Sequence, residues 1–177
     1  MRKSIQMAIV PIGSLLVVAC GSSGSGTTVH HKSAPPPTSS TSVTVSAKAI
    51  KPYGTVLVNS SGHALYVFAP DKAAKVTCVS GCAQVWPPLA LPGGSKPAAG
   101  SGVKASLLGS DPNPSGGRVV TYNGWPLYTY VTDTAAGVAH GQGINSSGGL
   151  WYLMAPSGTV VKGKGGSSSS SSSYPYG

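Results

Sequence analysis

Residues 65–71 read Leu-Tyr-Val-Phe-Ala-Pro-Asp, and residues 127–133 read Leu-Tyr-Thr-Tyr-Val-Thr-Asp. The shared pattern is Leu-Tyr-x-aromatic-x-x-Asp, and its tyrosines, Tyr66 and Tyr128, lie 62 residues apart. A tryptophan follows each copy: Trp86 comes 15 residues after Asp71, and Trp151 comes 18 after Asp133. Prolines follow each tryptophan, Pro87 and Pro88 in the first copy and Pro156 in the second. Self-similarity at such a period predicts two equivalent supersecondary units that complete one core. Tyr66 and Phe68, like Tyr128 and Tyr130, stand at i and i+2 and so face one side of a strand. Paired aromatics on one sheet face are normally core.

Working outward, the neighbouring residues predict hairpins. Thr55–Val58 and Ala64–Phe68 are β-rich runs separated by Asn59-Ser60-Ser61-Gly62, a turn composition. Arg118–Tyr122 and Leu127–Val131 flank Asn123-Gly124, the stronger short hairpin signal. Leu150–Met154, a Pro156-Ser157-Gly158 turn and Thr159–Val161 predict a third hairpin. No window sustains a helical period, and 25 Gly with 15 Pro disfavour long helices. The stretch from Lys72 to Cys82 has room for one short helical turn. The expected fold class is all-β: a small domain of two repeated hairpin units plus a C-terminal hairpin, with Gly/Pro-rich loops and one disulfide. The domain is expected over residues 46–162, with repeat 1 at about 53–92 and repeat 2 at about 117–161.

Further motifs belong to the same units. They are Cys-x3-Cys-x3-Trp-Pro-Pro-Leu (Cys78 to Leu89), Tyr-Asn-Gly-x-Pro-Leu-Tyr (Tyr122 to Tyr128), and Gly-Gln-Gly ahead of Gly-Gly-x-Trp (Gly141 to Trp151). With the paired Tyr-x-aromatic-x-x-Asp segments, they resemble the bacterial secreted-repeat lipoproteins that carry a Tyr-x-(Phe/Trp/Tyr)-x-x-Asp motif, a family of unknown function. The resemblance covers nearly the whole domain and implies an exported location and a two-repeat architecture. It implies no agreed activity.

The N-terminus points the same way. Arg2 and Lys3 precede an apolar run from Ile5 to Val18, which ends in Val17-Val18-Ala19-Cys20. That is the layout of a secretory signal peptide over residues 1–19, and the cysteine after the small residue resembles a lipobox, which implies acylation of Cys20. The run is too short, and too broken by Pro11 and Gly13, for a membrane-spanning helix. Acyl chains at about 0.8 kcal/mol per buried CH2 would anchor the chain instead. Residues 20–45, rich in Ser, Thr and Pro, read as a disordered tether with a reach of roughly 25–30 Å. Residues 163–177, a Gly/Ser run ending in Tyr-Pro-Tyr-Gly, read as a second disordered tail.

Composition narrows the function classes. The chain holds 12 Lys and Arg against 3 acids, Asp71, Asp111 and Asp133, and has no Glu. With the leader removed, ten bases remain against the three acids. These bases form no dense run, which argues against nucleic-acid reading and suits attraction to anionic envelope polymers and lipids. Cys78 and Cys82 are expected to pair, since an exported chain meets an oxidising compartment. So short a loop adds about 2 kcal/mol. A metal site is the competing reading, and it lacks ligands nearby apart from His63.

Two readings attach to Asp71 and Asp133. An Asp at a strand end commonly accepts backbone N–H bonds and fixes the next loop. Alternatively, two of three acids at equivalent repeat positions could meet as a pair for acid/base work or cation binding. His63, His140 and Met154 are weak candidates for copper or haem ligation, with His30 and His31 in the tether. No nucleophile elbow, zinc-protease or phosphate-loop signature occurs. The expectation is a non-enzymatic, membrane-anchored lipoprotein on the outer face of the bacterial cytoplasmic membrane, with a binding or envelope-structural role. No cofactor and no nucleic acid is expected; the partners expected are the membrane and an envelope polymer or protein. The alternatives are a metal- or haem-binding or electron-transfer accessory lipoprotein and, more weakly, a hydrolase using Asp71 and Asp133.

Overall fold

The computed structural model describes residues 42–71 and 75–163. The signal peptide, Cys20, His30, His31, nearly all of the tether, Lys72 and all of the C-terminal tail beyond Gly163 lie outside the described residues. The strands in order are β1 (Thr44–Ile50), β2 (Gly54–Val58), β3 (Tyr66–Phe68), β4 (Ala90–Leu91), β5 (Ala98–Ala99), β6 (Leu108–Pro112), β7 (Arg118–Tyr122), β8 (Trp125–Pro126), β9 (Asn145–Ser146), β10 (Gly149–Met154) and β11 (Val160–Val161). They form three sheets, ordered β2-β1-β5, β11-β10-β3 with β9 on β10, and β4-β7-β6 with β8 on β7. Pairing is antiparallel except between β1 and β5. The domain is therefore all-β. Its one α-helix among the described residues, α1 (Gly81–Val85), is a single short turn.

The period of two along each strand feeds two cores. Val56, Val58, Tyr66 and Phe68 enter one cluster together with Trp86, Tyr128 and Trp151. The alternate residues Leu57, Leu65 and Val67 enter a second cluster with Val120, Tyr122, Leu127 and Met154. All three residues of β3 are buried, so this strand is covered on both faces.

That double burial changes the first predicted hairpin. The partnership of 55–58 with 64–68 is limited to a Val58–Ala64 bridge and a 2.9 Å bond from Leu65 N–H to the Leu57 carbonyl. Beyond it, β2 pairs with β1, and β3 pairs with β10 in the register Phe68–Trp151 and Leu153–Tyr66. Tyr66–Phe68 needs cover on both faces, which a two-stranded ribbon cannot supply. The second hairpin does turn at Asn123-Gly124, where both residues have positive φ (51° and 77°); this left-handed pair matches strand twist in a two-residue turn. Its return strand is shorter than the sequence suggests. After Leu127 donates to Val120, Tyr128 crosses to Tyr66 and Thr129 N–H bonds Pro87. The third hairpin forms as β10 and β11. β1 begins at Thr44, two residues inside the stretch read as tether, because Val45 is fully buried.

Candidate functional site

The two repeats meet at Tyr66 and Tyr128. Tyr66 N–H donates to the Tyr128 carbonyl at 2.8 Å, and Tyr128 N–H returns the bond to Tyr66 at 2.9 Å. An antiparallel pair that exchanges both bonds is locally two-fold, and the side chains around it repeat that symmetry. Each segment runs on into a turn that delivers its aspartate to the other repeat. The Tyr66 hydroxyl donates to Asp133 Oδ2 at 2.6 Å, and the Tyr128 hydroxyl donates to Asp71 Oδ2 at 2.5 Å.

The second oxygen of each carboxylate fixes a loop. Asp71 Oδ1 accepts from Thr77 N–H (2.8 Å) and the Thr77 hydroxyl (2.6 Å). Asp133 Oδ1 accepts from His140 N–H (2.9 Å) and contacts His140 Nδ1 at 3.1 Å. The residue after each loop anchor turns its amide toward the phenol: Gly141 N–H donates to the Tyr66 hydroxyl at 3.1 Å, and the Cys78 amide sits beside the Tyr128 hydroxyl in the same way. We call each set a clasp. Both carboxylates are buried, Asp71 at 0% exposure and Asp133 at 3%. Burial first, and the neighbouring carboxylate second, push both phenols far above their ordinary pKa, so both tyrosines stay protonated and donate.

Between the clasps runs a column of four rings. Tyr130 stacks on Trp86 (4.1 Å between centroids), Trp86 on Trp151 (4.0 Å, planes 2° apart) and Trp151 on Phe68 (4.3 Å). The column is crossed too, since each tryptophan carries the motif aromatic of the other repeat. Tyr66 meets Trp86 edge-on at 5.5 Å, and Tyr128 meets Trp151 edge-on at 5.2 Å. A Cβ on Gly141 would lie 2.8 Å from Trp86 and 2.9 Å from Tyr66. Glycine is therefore what lets this loop lie against the rings. Cys78 and Cys82 form a disulfide with Cα atoms 5.2 Å apart, which closes α1 onto the loop held by Asp71.

The predicted motif residues Tyr66, Phe68, Asp71, Trp86, Tyr128, Tyr130, Asp133 and Trp151 are thus brought together, as two separate crossed clasps around one column. The weak metal candidates are not gathered. His140 belongs to a clasp, Met154 is buried in the second core, and His63 is half-buried in the turn where its amide bonds Asn59. Among the described residues no group of three His, Cys, Asp or Glu could hold a metal ion. Thr77 and the clasp role of His140 are absent from the sequence reading, and Gly141 enters it only as part of the Gly-Gln-Gly motif, without its bond to Tyr66. The signal for them is positional: Thr77 follows Asp71 by six residues and His140 follows Asp133 by seven. Away from the column, an open groove of about 450 Å3 is lined by Val67, Ala69, Trp125, Leu150, Tyr152, Val160 and Lys162.

A family model described as a secreted repeat of unknown function matches twice, at residues 48–90 and 112–155. The chain belongs to this secreted-repeat family. Each match contains one Leu-Tyr-x-aromatic-x-x-Asp segment, so the two family repeats are the two halves of the crossed assembly. No curated protein and no solved structure gives a significant match. The family fits an extracytoplasmic protein of unknown activity, and among the described residues no helix is long and apolar enough to cross a membrane.

Proposed function

We propose that this secreted-repeat protein is a non-catalytic binding or envelope-structural module, anchored by lipid on Cys20 and held off the membrane by residues 20–45. The observation that carries the non-catalytic reading is the saturation of the motif carboxylates. Both oxygens of Asp71 and of Asp133 are taken up by hydrogen bonds within the protein, so the repeat motif is a fold-closing device. Sustained turnover of a wall or small-molecule substrate, lost in Asp133→Asn while folding persists, would overturn it.

The same burial shapes the surface. With Asp71 and Asp133 inside, Asp111 is the remaining acid among the described residues, against seven exposed Lys and Arg. A nearly uncompensated cationic surface suits an anionic envelope polymer or lipid headgroup. The groove beside Trp125, Tyr152 and Lys162 offers apolar area where contact is made. Mass spectrometry of the mature N-terminus tests the anchor: the reading requires an acylated Cys20 and release of the protein from membranes in Cys20→Ser. Co-sedimentation with anionic wall polymer, weakening as salt rises, tests the partner class. Salt-insensitive binding or no binding would refute it.

A further inference from the structure

The column and the clasps have a property that packing alone does not require. Three oxidisable rings, Tyr130, Trp86 and Trp151, are stacked in contact, and each buried tryptophan touches a tyrosine whose hydroxyl proton already has an acceptor 2.5–2.6 Å away. We propose that Tyr130, Trp86, Trp151 and the clasp pairs Tyr66–Asp133 and Tyr128–Asp71 form a one-electron relay, in which a diffusing one-electron oxidant outside the cytoplasmic membrane, an oxygen- or nitrogen-centred radical, is reduced and the oxidising equivalent comes to rest on a clasp tyrosine.

The direction follows from the fate of the protons. Tyr130 is half-buried and forms the outer end of the column, whereas Trp86 and Trp151 are fully buried. An electron leaves Trp86 across Tyr130, which stacks on it at 4.1 Å. The resulting indole radical cation sits in low-dielectric surroundings, where an unpaired charge is costly. It cannot relieve that charge by losing its proton, because Trp86 Nε1 has no hydrogen-bond acceptor among the described residues. Tyr66, edge-on at 5.5 Å, has the acceptor that Trp86 lacks. It gives an electron to Trp86 while its hydroxyl proton moves to Asp133 Oδ2.

The balance is one electron from the Tyr66 phenol to the oxidant and one proton from the phenol to the carboxylate. The products are a neutral phenoxyl radical, a neutral carboxylic acid and the one-electron-reduced oxidant. No charge is left inside, and the Gly141 amide stays in place to bond the radical oxygen. Trp151, stacked on Trp86 at 4.0 Å, opens a second path to Tyr128 and Asp71, although its Nε1, unlike that of Trp86, bonds a carbonyl, that of Ser146. A thiol or hydroquinone reductant returns the electron, itself becoming a thiyl or semiquinone radical and releasing its own proton to solvent, while the clasp proton goes back from Asp133 to the phenol along the same hydrogen bond.

The test uses the full chain and flash-generated ruthenium(III) tris(bipyridine) as the oxidant, with freeze-quench electron paramagnetic resonance as the readout. The expected result is a tyrosyl radical whose spectrum shows exchangeable hydrogen bonds to its oxygen, from the protonated carboxyl and the loop amide, and whose formation slows in deuterated solvent. Tyr66→Phe/Tyr128→Phe should replace it by a tryptophan radical, and Tyr130→Phe should lower its yield. Tyr174→Phe/Tyr176→Phe, in the C-terminal tail beyond the described residues, should leave it intact. Should the clasp double variant fail to fold, the Tyr130 variant and the deuterium dependence in wild type decide. A tyrosyl signal that persists unchanged without Tyr66 and Tyr128, that vanishes with Tyr174 and Tyr176, or that is indifferent to both Tyr130→Phe and deuterium overturns the relay.

Discussion

Substituting Tyr66 by Phe removes one hydroxyl and strands two groups. Asp133 Oδ2 loses its 2.6 Å donor, and the Gly141 N–H loses its 3.1 Å acceptor. A hydrogen bond to a charged group contributes about 1.5–3 kcal/mol, and a buried group left unpaired adds about 1–3 kcal/mol. Because both residues are buried, a loss of about 3 kcal/mol is expected, or roughly 10–15 °C in melting temperature for a domain of this size. The sharper assay is a double-mutant cycle by urea unfolding. Tyr66→Phe and Asp133→Asn, residues 67 apart in sequence, should be coupled by more than about 1 kcal/mol, while Tyr66→Phe and Asp71→Asn, in the same repeat, should add to within about 0.5 kcal/mol. The mirror cycle should couple Tyr128 to Asp71. If Tyr66 couples more strongly to Asp71 than to Asp133, the crossed arrangement is wrong, and with it the account of the motif.

Other consequences can be measured directly. Both clasp phenols are held above their ordinary value, so above about pH 10 the unfolded chain releases protons that the folded chain keeps. Stability should therefore fall with rising pH by about 1.4 kcal/mol per unit for each tyrosine. Urea midpoints taken between about pH 9 and 11 should show this slope halved in Tyr128→Phe; no alkaline decline would contradict it. Reducing Cys78–Cys82, which are four residues apart, should cost about 2 kcal/mol and leave a folded domain, checked by unfolding with and without reductant. Gly141→Ala pushes a methyl to within 3 Å of Trp86 and Tyr66. It should destabilise by about 1–3 kcal/mol, seen as a lower melting temperature; an unchanged one would mean the loop moves aside freely.

The legible parts of this fold are those with local causes. Asn123-Gly124 names its own turn, the hairpin of β10 and β11 follows from a β-rich run and a Pro-Ser-Gly turn, and Cys78–Cys82 follows from compartment and spacing. β6 was illegible because Leu-Gly-Ser-Asp-Pro is turn chemistry. It becomes a strand since five residues pair with β7 and a Cβ on Gly109 would press to 2.9 Å of Thr121. β1 was illegible because its outward residues, Lys48 and Ala49, dilute the pattern that Val45 and Ile50 carry inward. The motif itself showed which residues matter, but its spacing could not show which copy each residue serves. Tyr66 and Asp71 are five residues apart, yet their hydrogen-bond partners are 67 and 57 residues away.

That crossing gives the duplication a physical reason. In one repeat alone, the tyrosine has no carboxylate, the aspartate no phenol and the tryptophan no stacking partner from its own motif. Thr77 or His140 still bonds one oxygen of the aspartate, but a buried carboxylate oxygen without its donor is unfavourable, so a lone unit carries an oxygen and a phenol that it cannot pair. Two units related by the Tyr66–Tyr128 exchange satisfy both sets at once, because a two-fold relation that completes one clasp necessarily completes the other. The clasps need not be identical in chemistry for this to hold. Thr77 holds one loop and His140 the other, and Trp151 Nε1 finds the Ser146 carbonyl at 3.2 Å whereas Trp86 Nε1 finds no acceptor among the described residues. Selection for a closed core accounts for what the halves share; the places where they differ, at His140 and at Trp86, are where a function beyond closure has room to act.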